Sequence, residues 1–244
     1  NYAFFSSTSN YMISHFNAFA ESVISLQSLN EKSFVVEVGS NDGIMLQNFL
    51  SNKIPCLGVE PSQNVANVAI AKGIEVITKF FDQPLAKEIS KLHQKADAVL
   101  SANVMCHIPY IHSIYDGVKT LLKEDGIFIF EDPYLGEIFE KTSYDQIYDE
   151  HVFLFSALSV SYLASMHDLE LVNVEPQITH GGSMRYTIAH KGVKDVSQNV
   201  TSLIMKEKKI GLDKKYAYMN FTNSVDKIKD DLIRLLKELK KDGK

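Results

Sequence analysis

The chain has 244 residues, 45% of them hydrophobic, enough to bury a sizeable core in one large domain or one domain with an appendage. Its net charge of −5 and pI near 5.9 argue against a nucleic-acid binder, whose footprint is usually basic. No apolar run approaches the roughly 20 residues of a membrane-spanning helix, and the apolar N-terminus lacks the basic start of a signal peptide.

Apolar clusters alternate with helical periodicity along the chain, the pattern of an α/β fold with a mostly parallel sheet. A first helix is predicted over about 8–28. FVVEVG (34–39) follows as a buried strand, and IMLQNFLSN (44–52) begins a helix. CLGVEP (56–61) is the second strand, and the next helix runs from Ser62, a good N-cap, to Gly73, a good stop. IEVIT (74–78) is the third strand, followed by a helix from Pro84 into the 90s. ADAVLS (96–101) is the fourth strand, IHSIYDGVKTLL (111–122) a helix, and GIFIFED (126–132) a fifth strand entered through Asp125-Gly126. A helix over about 156–166 leads to LELVNVEP (169–176) and MRYTIAHK (184–191), an antiparallel pair joined by QITHGGS. Five parallel strands plus a terminal hairpin resemble the seven-strand, Rossmann-like sheet of class I methyltransferases.

Residues 1–191 would form that domain, and 192–244 a helical tail leading toward a further C-terminal domain. Helices are expected over about 195–210 and 222–241. In the second, Val225, Ile228, Leu232, Leu235, Leu236 and Leu239 form an apolar stripe that needs either the domain body or another domain to pack on. The tail from Lys191 carries 14 basic and 8 acidic residues, read as a solvated helical face. The only cysteines, Cys56 and Cys106, have no metal-ligand spacing, so no cysteine-based zinc site is expected within the chain. Two unpaired thiols fit a reducing compartment, with the cytoplasm as default. The chain opens on Asn1 rather than Met and stops after a strong helix, as a piece of a longer protein would.

EVGSNDG (37–43) runs from the first strand into the next helix. Gly39 supplies a tight turn, and Gly43 lets backbone approach a ligand at a helix N-terminus. The dinucleotide fingerprint wants a glycine where Asn41 stands, which disfavours a pyrophosphate. S-adenosylmethionine (SAM) has no phosphate, and its amino-acid end can meet Ser40, Asn41 and Asp42. Glu60, ending the second strand before Pro61, stands 21 residues after Gly39. A carboxylate there accepts hydrogen bonds from both ribose hydroxyls. Together with the terminal hairpin, this set points to SAM rather than an unused first turn. Phe81 lies either against the adenine or in the core. Asn103, just past the fourth strand, sits at the sheet edge where ligands collect.

Seven motifs now fall together: YAFFSSTS (2–9), VGSNDG (38–43), GVEPS (58–62), NVMCHIP (103–109), EDPYL (131–135), YDQIYDEHVFLFS (144–156) and HGGSMRY (180–186). In them the chain resembles the C-3 methyltransferases that branch 4-keto deoxysugar nucleotides in antibiotic and surface-sugar synthesis. The resemblance covers nearly all of residues 2–190. It implies His151 as general base and Tyr148 as its close partner, with Glu150 beside them and His107 and Tyr2 completing the pocket. SAM would sit on Gly39–Gly43 and Glu60. That family usually carries an N-terminal cysteine-rich zinc module and a further C-terminal domain that helps hold the nucleotide. Neither lies within these residues, so zinc is expected only with such a module.

The chemistry explains the residue types. A C–H bond beside a ketone is a poor acid, so a base must remove the proton and a donor must stabilise the enolate oxygen. A histidine titrating near neutrality suits the first task, and a phenol or second imidazole suits the other. The sulfonium of SAM supplies the electrophile, so no metal is expected. A short helical turn over 145–155 would put Tyr148 and His151 on one face at i, i+3. Glu150 would then point aside, to hold the imidazole or bond a sugar hydroxyl.

His107 follows Asn103 by one helical turn and is either a ligand-facing or a structural histidine. Tyr2 lies where a chain end frays. His180, Gly181, Gly182 and Ser183 turn the final hairpin. The glycines permit positive φ, and Arg185 either meets a substrate phosphate or is a plain surface arginine. His93, His112, His167 and His190 are read as surface or core. Two other classes stay open on sequence: O- or N-methylation of a small molecule, and a non-catalytic SAM-binding module.

Overall fold

Val35–Val38 (β1) is buried along its whole length, as a strand flanked by neighbours and covered on both faces must be. The computed structural model describes residues 2–243. β1 pairs in parallel with β2 (Cys56–Val59) on one side and β4 (Ala96–Ala102) on the other. Outside these lie β3 (Glu75–Ile77) and β5 (Leu122–Pro133), also parallel. The hairpin of β6 (Leu169–Gln177) and β7 (Ser183–His190) joins antiparallel to β5, giving the order β3-β2-β1-β4-β5-β7-β6. The expected seven-stranded α/β architecture is therefore observed.

Because side chains alternate along a strand, β1 and β4 feed two separate core layers. Val36, Val38 and Val99 pack with α4 (Gln83–Leu92) and α5 (Ile111–Leu121). Val35, Ala98 and Leu100 pack instead with Phe16, Phe19 and Val23 of α1 (Asn10–Leu26). The chain order reverses around β1, so a crevice opens beyond the C-terminal ends of β1 and β4.

Several elements differ locally from expectation. The backbone keeps turning through residues 41–45 before α2 (Leu46–Ser51), so the helix after the glycine loop starts late and is short. Ser62 does not cap α3 (Gln63–Ala71) with its hydroxyl; its N–H donates to Glu60 (2.8 Å). Gly73 does stop α3, at φ 87°. A helix absent from the sequence reading, α6 (Leu135–Lys141), follows β5. Its short length and Gly136 left little helical signal to read. Ser156 and Ser159 form a capping box that starts α7 (Ala157–Ser165).

The tail is docked at its root. Glu207 of α8 (Gln198–Ile210) is fully buried and accepts the N–H groups of Ala157 and Leu158 at the start of α7 (2.7 and 2.8 Å). The Tyr134 hydroxyl donates to it as well (3.0 Å). Phe139 of α6 stacks on Phe221 of α9 (Lys215–Lys241), while Ile228, Leu232, Leu235 and Leu236 farther along that helix are exposed. No helix among the described residues is long and apolar enough to cross a membrane.

Candidate active site

The loop after β1 is shaped by two glycines. Gly39 (φ 73°) lies so close to Val104 that any Cβ would collide with it. Gly43 (φ 78°) packs on Ile74 and Ala69, so it serves backbone shape and packing rather than the close ligand approach expected of it. Asn41 between them is left-handed (φ 48°), and its N–H donates to Glu60 Oε2 (3.0 Å). Glu60 Oε1 accepts the Ser62 N–H, so each oxygen carries one bond and keeps acceptor capacity. Pro61, next to it, is half-buried.

Ser40 Oγ, Asp42 Oδ1 and Glu37 Oε2 are buried without a hydrogen-bond partner among the described residues. Buried polar atoms rarely stay unpartnered, and this group lies on the loop where the amino-acid end of SAM was expected. Burial, reinforced by Glu60 and Asp42, holds the Glu37 carboxyl well above the usual carboxylate range. Glu37 carried no role in the sequence reading, where it counted only as a strand residue. These residues fit SAM: unpartnered polar groups on one side and, at Glu60, a carboxylate with acceptor capacity left for hydroxyls.

Residues 2–9 lie as a strap on this loop. Ser6 N–H donates to Asn41 Oδ1 (3.2 Å), Asn41 Nδ2 donates to the Phe4 carbonyl (3.1 Å), and Ser7 donates to Asp42 through its N–H and its hydroxyl. The side chain of Asn41 and one oxygen of Asp42 are thus engaged by the strap, which corrects the expectation that both are free for a ligand. Tyr2 exchanges two hydrogen bonds with Asn64 (2.9 and 2.7 Å), so the terminus is tied down rather than frayed. Burial, with Glu150 and Glu60 nearby, raises the Tyr2 pKa and keeps its phenol protonated.

The segment from the start of YDQIYDEHVFLFS forms a single 3-10 turn at Tyr144–Gln146 and then bends, rather than a continuous helical turn over 145–155. The His151 N–H still reaches the Tyr148 carbonyl (2.9 Å), and the two rings lie 4.1 Å apart. His151 Nδ1–H donates to the Gln146 carbonyl (2.7 Å), so Nε2 bears the lone pair. His107, on the 3-10 turn Met105–His107 after β4, has its ring 5.1 Å from His151. It donates Nδ1–H to the Glu150 carbonyl (2.8 Å). The main chain of Glu150, not its carboxylate, therefore holds an imidazole, and that imidazole is His107; Gln146 was missed as the anchor of His151. Burial lowers the His151 pKa, and His107 adds to this against the raising effect of the Gln146 bond, so the ring is neutral near pH 7. Burial and the neighbouring Cys106, Glu150 and Tyr2 raise the Tyr148 pKa, so its phenol stays a donor.

The far side of the crevice departs from expectation. Arg185 is not a surface cation available to a phosphate: it donates twice to the wholly buried Glu131 (3.1 and 2.8 Å) and stacks its guanidinium 3.6 Å from the Phe19 ring centroid. His15 Nε2 and the Thr179 hydroxyl bind the other Glu131 oxygen (2.7 and 3.1 Å). Ser183 is buried, with its hydroxyl donating to the Thr179 carbonyl (3.1 Å). His180 and Gly181 remain exposed at the tip, and Gly181 and Gly182 take the positive φ expected of them. Phe81 is a core residue packed beside Gly117, while its neighbour Phe80 is 69% exposed. Asn103 is left-handed (φ 56°) at the end of β4, its N–H donating to the Glu131 carbonyl (2.7 Å).

The fold also brings together a cysteine and two histidines that spacing along the chain does not pair. Cys106, His107 and His151 present ligand atoms within 4.8 Å of one another. Spacing along the chain could not reveal this, because 44 residues separate the turn after β4 from His151. Asp132, missed within EDPYL, is fully buried at the end of β5, with only the Cys106 thiol and the main chain of Met105 and Cys106 facing its carboxyl as donors. Burial raises its pKa to about 7.

Comparison with known proteins agrees with this fold. A family model described as a methyltransferase domain matches residues 12–174, and one described as a C-methyltransferase C-terminal domain matches 178–244. The C-methyltransferase NovU of Streptomyces niveus is 30% identical over 245 residues, a match covering 100% of this chain and 58% of that protein. Among solved structures, magnesium protoporphyrin IX methyltransferase (ChlM) from Synechocystis PCC 6803 with bound SAH aligns at TM-score 0.57 and 11% identity, over 73% of this chain and 83% of that one. The YcgJ protein from Bacillus subtilis aligns at TM-score 0.56 and 14% identity, over 73% and 100%. At these identities the structural likeness speaks for the fold alone.

Proposed function

The chain belongs to the methyltransferases, and we propose that it uses SAM to methylate the carbon beside the ketone of a 4-keto deoxysugar nucleotide. One observation carries this reading: His151, neutral and fixed through Nδ1, offers a free Nε2 beside the Tyr148 phenol and the second imidazole of His107. That is a base next to a phenol that can donate, the pair of functions enolate formation requires. The likeness to a C-methyltransferase supports the choice of carbon over oxygen or nitrogen.

In this reading His151 Nε2 accepts the C–H proton while the Tyr148 phenol donates to the developing enolate oxygen. When bound, SAM supplies the electrophilic methyl group. Glu60 holds the ribose, Ser40 and Asp42 the amino-acid end, and the strap of residues 2–9 excludes water from that end of the crevice. The exposed tip at His180 and Gly181 faces the substrate side, and cytoplasmic sugar metabolism is the expected setting.

The deciding experiment incubates the protein with SAM and a thymidine-diphosphate 4-keto deoxysugar and examines the product by NMR. A new C–CH₃ singlet on a quaternary carbon is expected; a methoxy signal would instead assign O-methylation. Glu60→Ala should weaken SAM binding by about 1–3 kcal/mol through the lost ribose bonds, and calorimetry showing unchanged affinity would remove Glu60 from the site. A chelator should leave SAM affinity unaltered, since no SAM-holding group named above needs an ion; loss of binding would contradict that assignment.

A further inference from the structure

Cys106 takes no part in the proposed reaction, yet its thiol, His107 and His151 bring potential ligand atoms within 4.8 Å of one another. Both imidazoles donate Nδ1–H to main-chain carbonyls, at 2.8 Å to Glu150 and 2.7 Å to Gln146. Histidine ligands of metal ions are oriented in just this way by a second group. Each ring keeps an Nε2 lone pair, and two imidazoles with a thiol make a donor set that suits Zn²⁺ or Co²⁺ and not Mg²⁺. Ligand atoms around a tetrahedral zinc lie roughly 3.5 Å apart, so the side chains would close on the ion by about 1 Å.

A second observation points the same way. Asp132 is wholly buried, its carboxyl faces the Cys106 thiol and the main chain of Met105 and Cys106, and no cationic side chain forms an ion pair with it among the described residues. A buried carboxylate in that state lacks a compensating positive charge. A divalent ion on one thiolate and two neutral imidazoles carries one net positive charge, which Asp132 would balance.

We infer that Cys106, His107 and His151 form an inhibitory site for a thiophilic divalent cation, Zn²⁺ above all. The inhibitory part rests on His151 being the base, because the ion takes the Nε2 lone pair that would accept the substrate proton. On binding, the thiol releases its proton to solvent, one metal–sulfur and two metal–nitrogen bonds replace metal–water bonds, and no oxidation state changes.

The test is a titration of the metal-free protein with Co²⁺, followed by absorption. Visible bands of a tetrahedral site and a near-ultraviolet thiolate-to-cobalt band are expected, saturating at one ion per chain and lost on adding Zn²⁺. Cys106→Ser should abolish the near-ultraviolet band, while Cys56→Ser should keep it. His107→Gln should weaken Co²⁺ binding roughly tenfold or more, which decides the matter even if the cysteine variant fails to fold. In parallel, Zn²⁺ should slow solvent-deuterium exchange at the substrate carbon, and a chelator should restore it. Absence of the thiolate band, or a band that follows Cys56, overturns the site; Zn²⁺ that binds without slowing exchange overturns the inhibition. Exchange missing even from metal-free protein would sink the base assignment instead, and the cobalt spectrum would still decide the ion site.

Discussion

His151→Asn is expected to slow solvent-deuterium exchange at the substrate carbon by about 10²–10⁴, the usual contribution of a positioned general base, while leaving SAM affinity intact. Asparagine is close in size and can keep a donor toward the Gln146 carbonyl that now holds the imidazole at 2.7 Å. It offers no basic nitrogen where Nε2 stood. The burial that depresses the His151 pKa keeps the wild-type ring in its proton-accepting form near neutrality. Exchange measured without methyl transfer isolates proton removal from the later step. Undiminished exchange in the variant, with SAM still bound, would exclude His151 as the base and move attention to His107.

Arg185→Met should destabilise the fold by about 3–5 kcal/mol, the cost of leaving a buried charge without its partner. Glu131 has no exposed surface, and two of its contacts are the arginine donors at 3.1 and 2.8 Å. Burial by itself raises the Glu131 pKa, but the His15 and Arg185 interactions outweigh it and bring the pKa below the ordinary carboxylate value. A depressed folded-state pKa contributes stability that is present above the unfolded value and lost as pH falls through the folded one. The gap between wild type and variant should therefore be widest near neutral pH and narrow in acid, where Glu131 takes a proton and no longer lacks a counter-charge. Urea denaturation at several pH values reads this directly. Glu131→Gln combined with Arg185→Met should recover much of the loss, since no charge is then buried. A midpoint shift no larger than that of a surface substitution, about 0.5 kcal/mol, would show that the pair does not matter to folding.

The sheet was legible because its central strands are buried on both faces and read as mostly apolar runs, broken only by single polar residues such as Glu37 and Asp97, between glycine and proline punctuation. Val35–Val38 and Ala96–Ala102 are such runs. α6 was not, because seven residues containing a glycine hold too little periodicity to register. At the candidate site the residue types could be named from motifs, but their partners could not. Nothing local says that the Arg185 guanidinium meets Glu131, since the pairing depends on β5 and β7 lying side by side. Nor does spacing show that His107 is held by the carbonyl of Glu150, 43 residues away. Backbone acceptors are invisible in sequence, as every residue has one. The role of residues 2–9 escaped for the same reason: Ser6 and Ser7 look like any polar start until Asn41 and Asp42 are seen to receive them.

Both imidazoles of the crevice are moored to one short stretch of main chain, His151 to Gln146 and His107 to Glu150. A shift of residues 146–150 by little more than a bond length would unhitch the two rings together, not singly. The aim of the two nitrogens is thereby linked through one segment. On the proposed reaction, a molecule that settles that stretch on arrival would aim the proton acceptor and its neighbour at once.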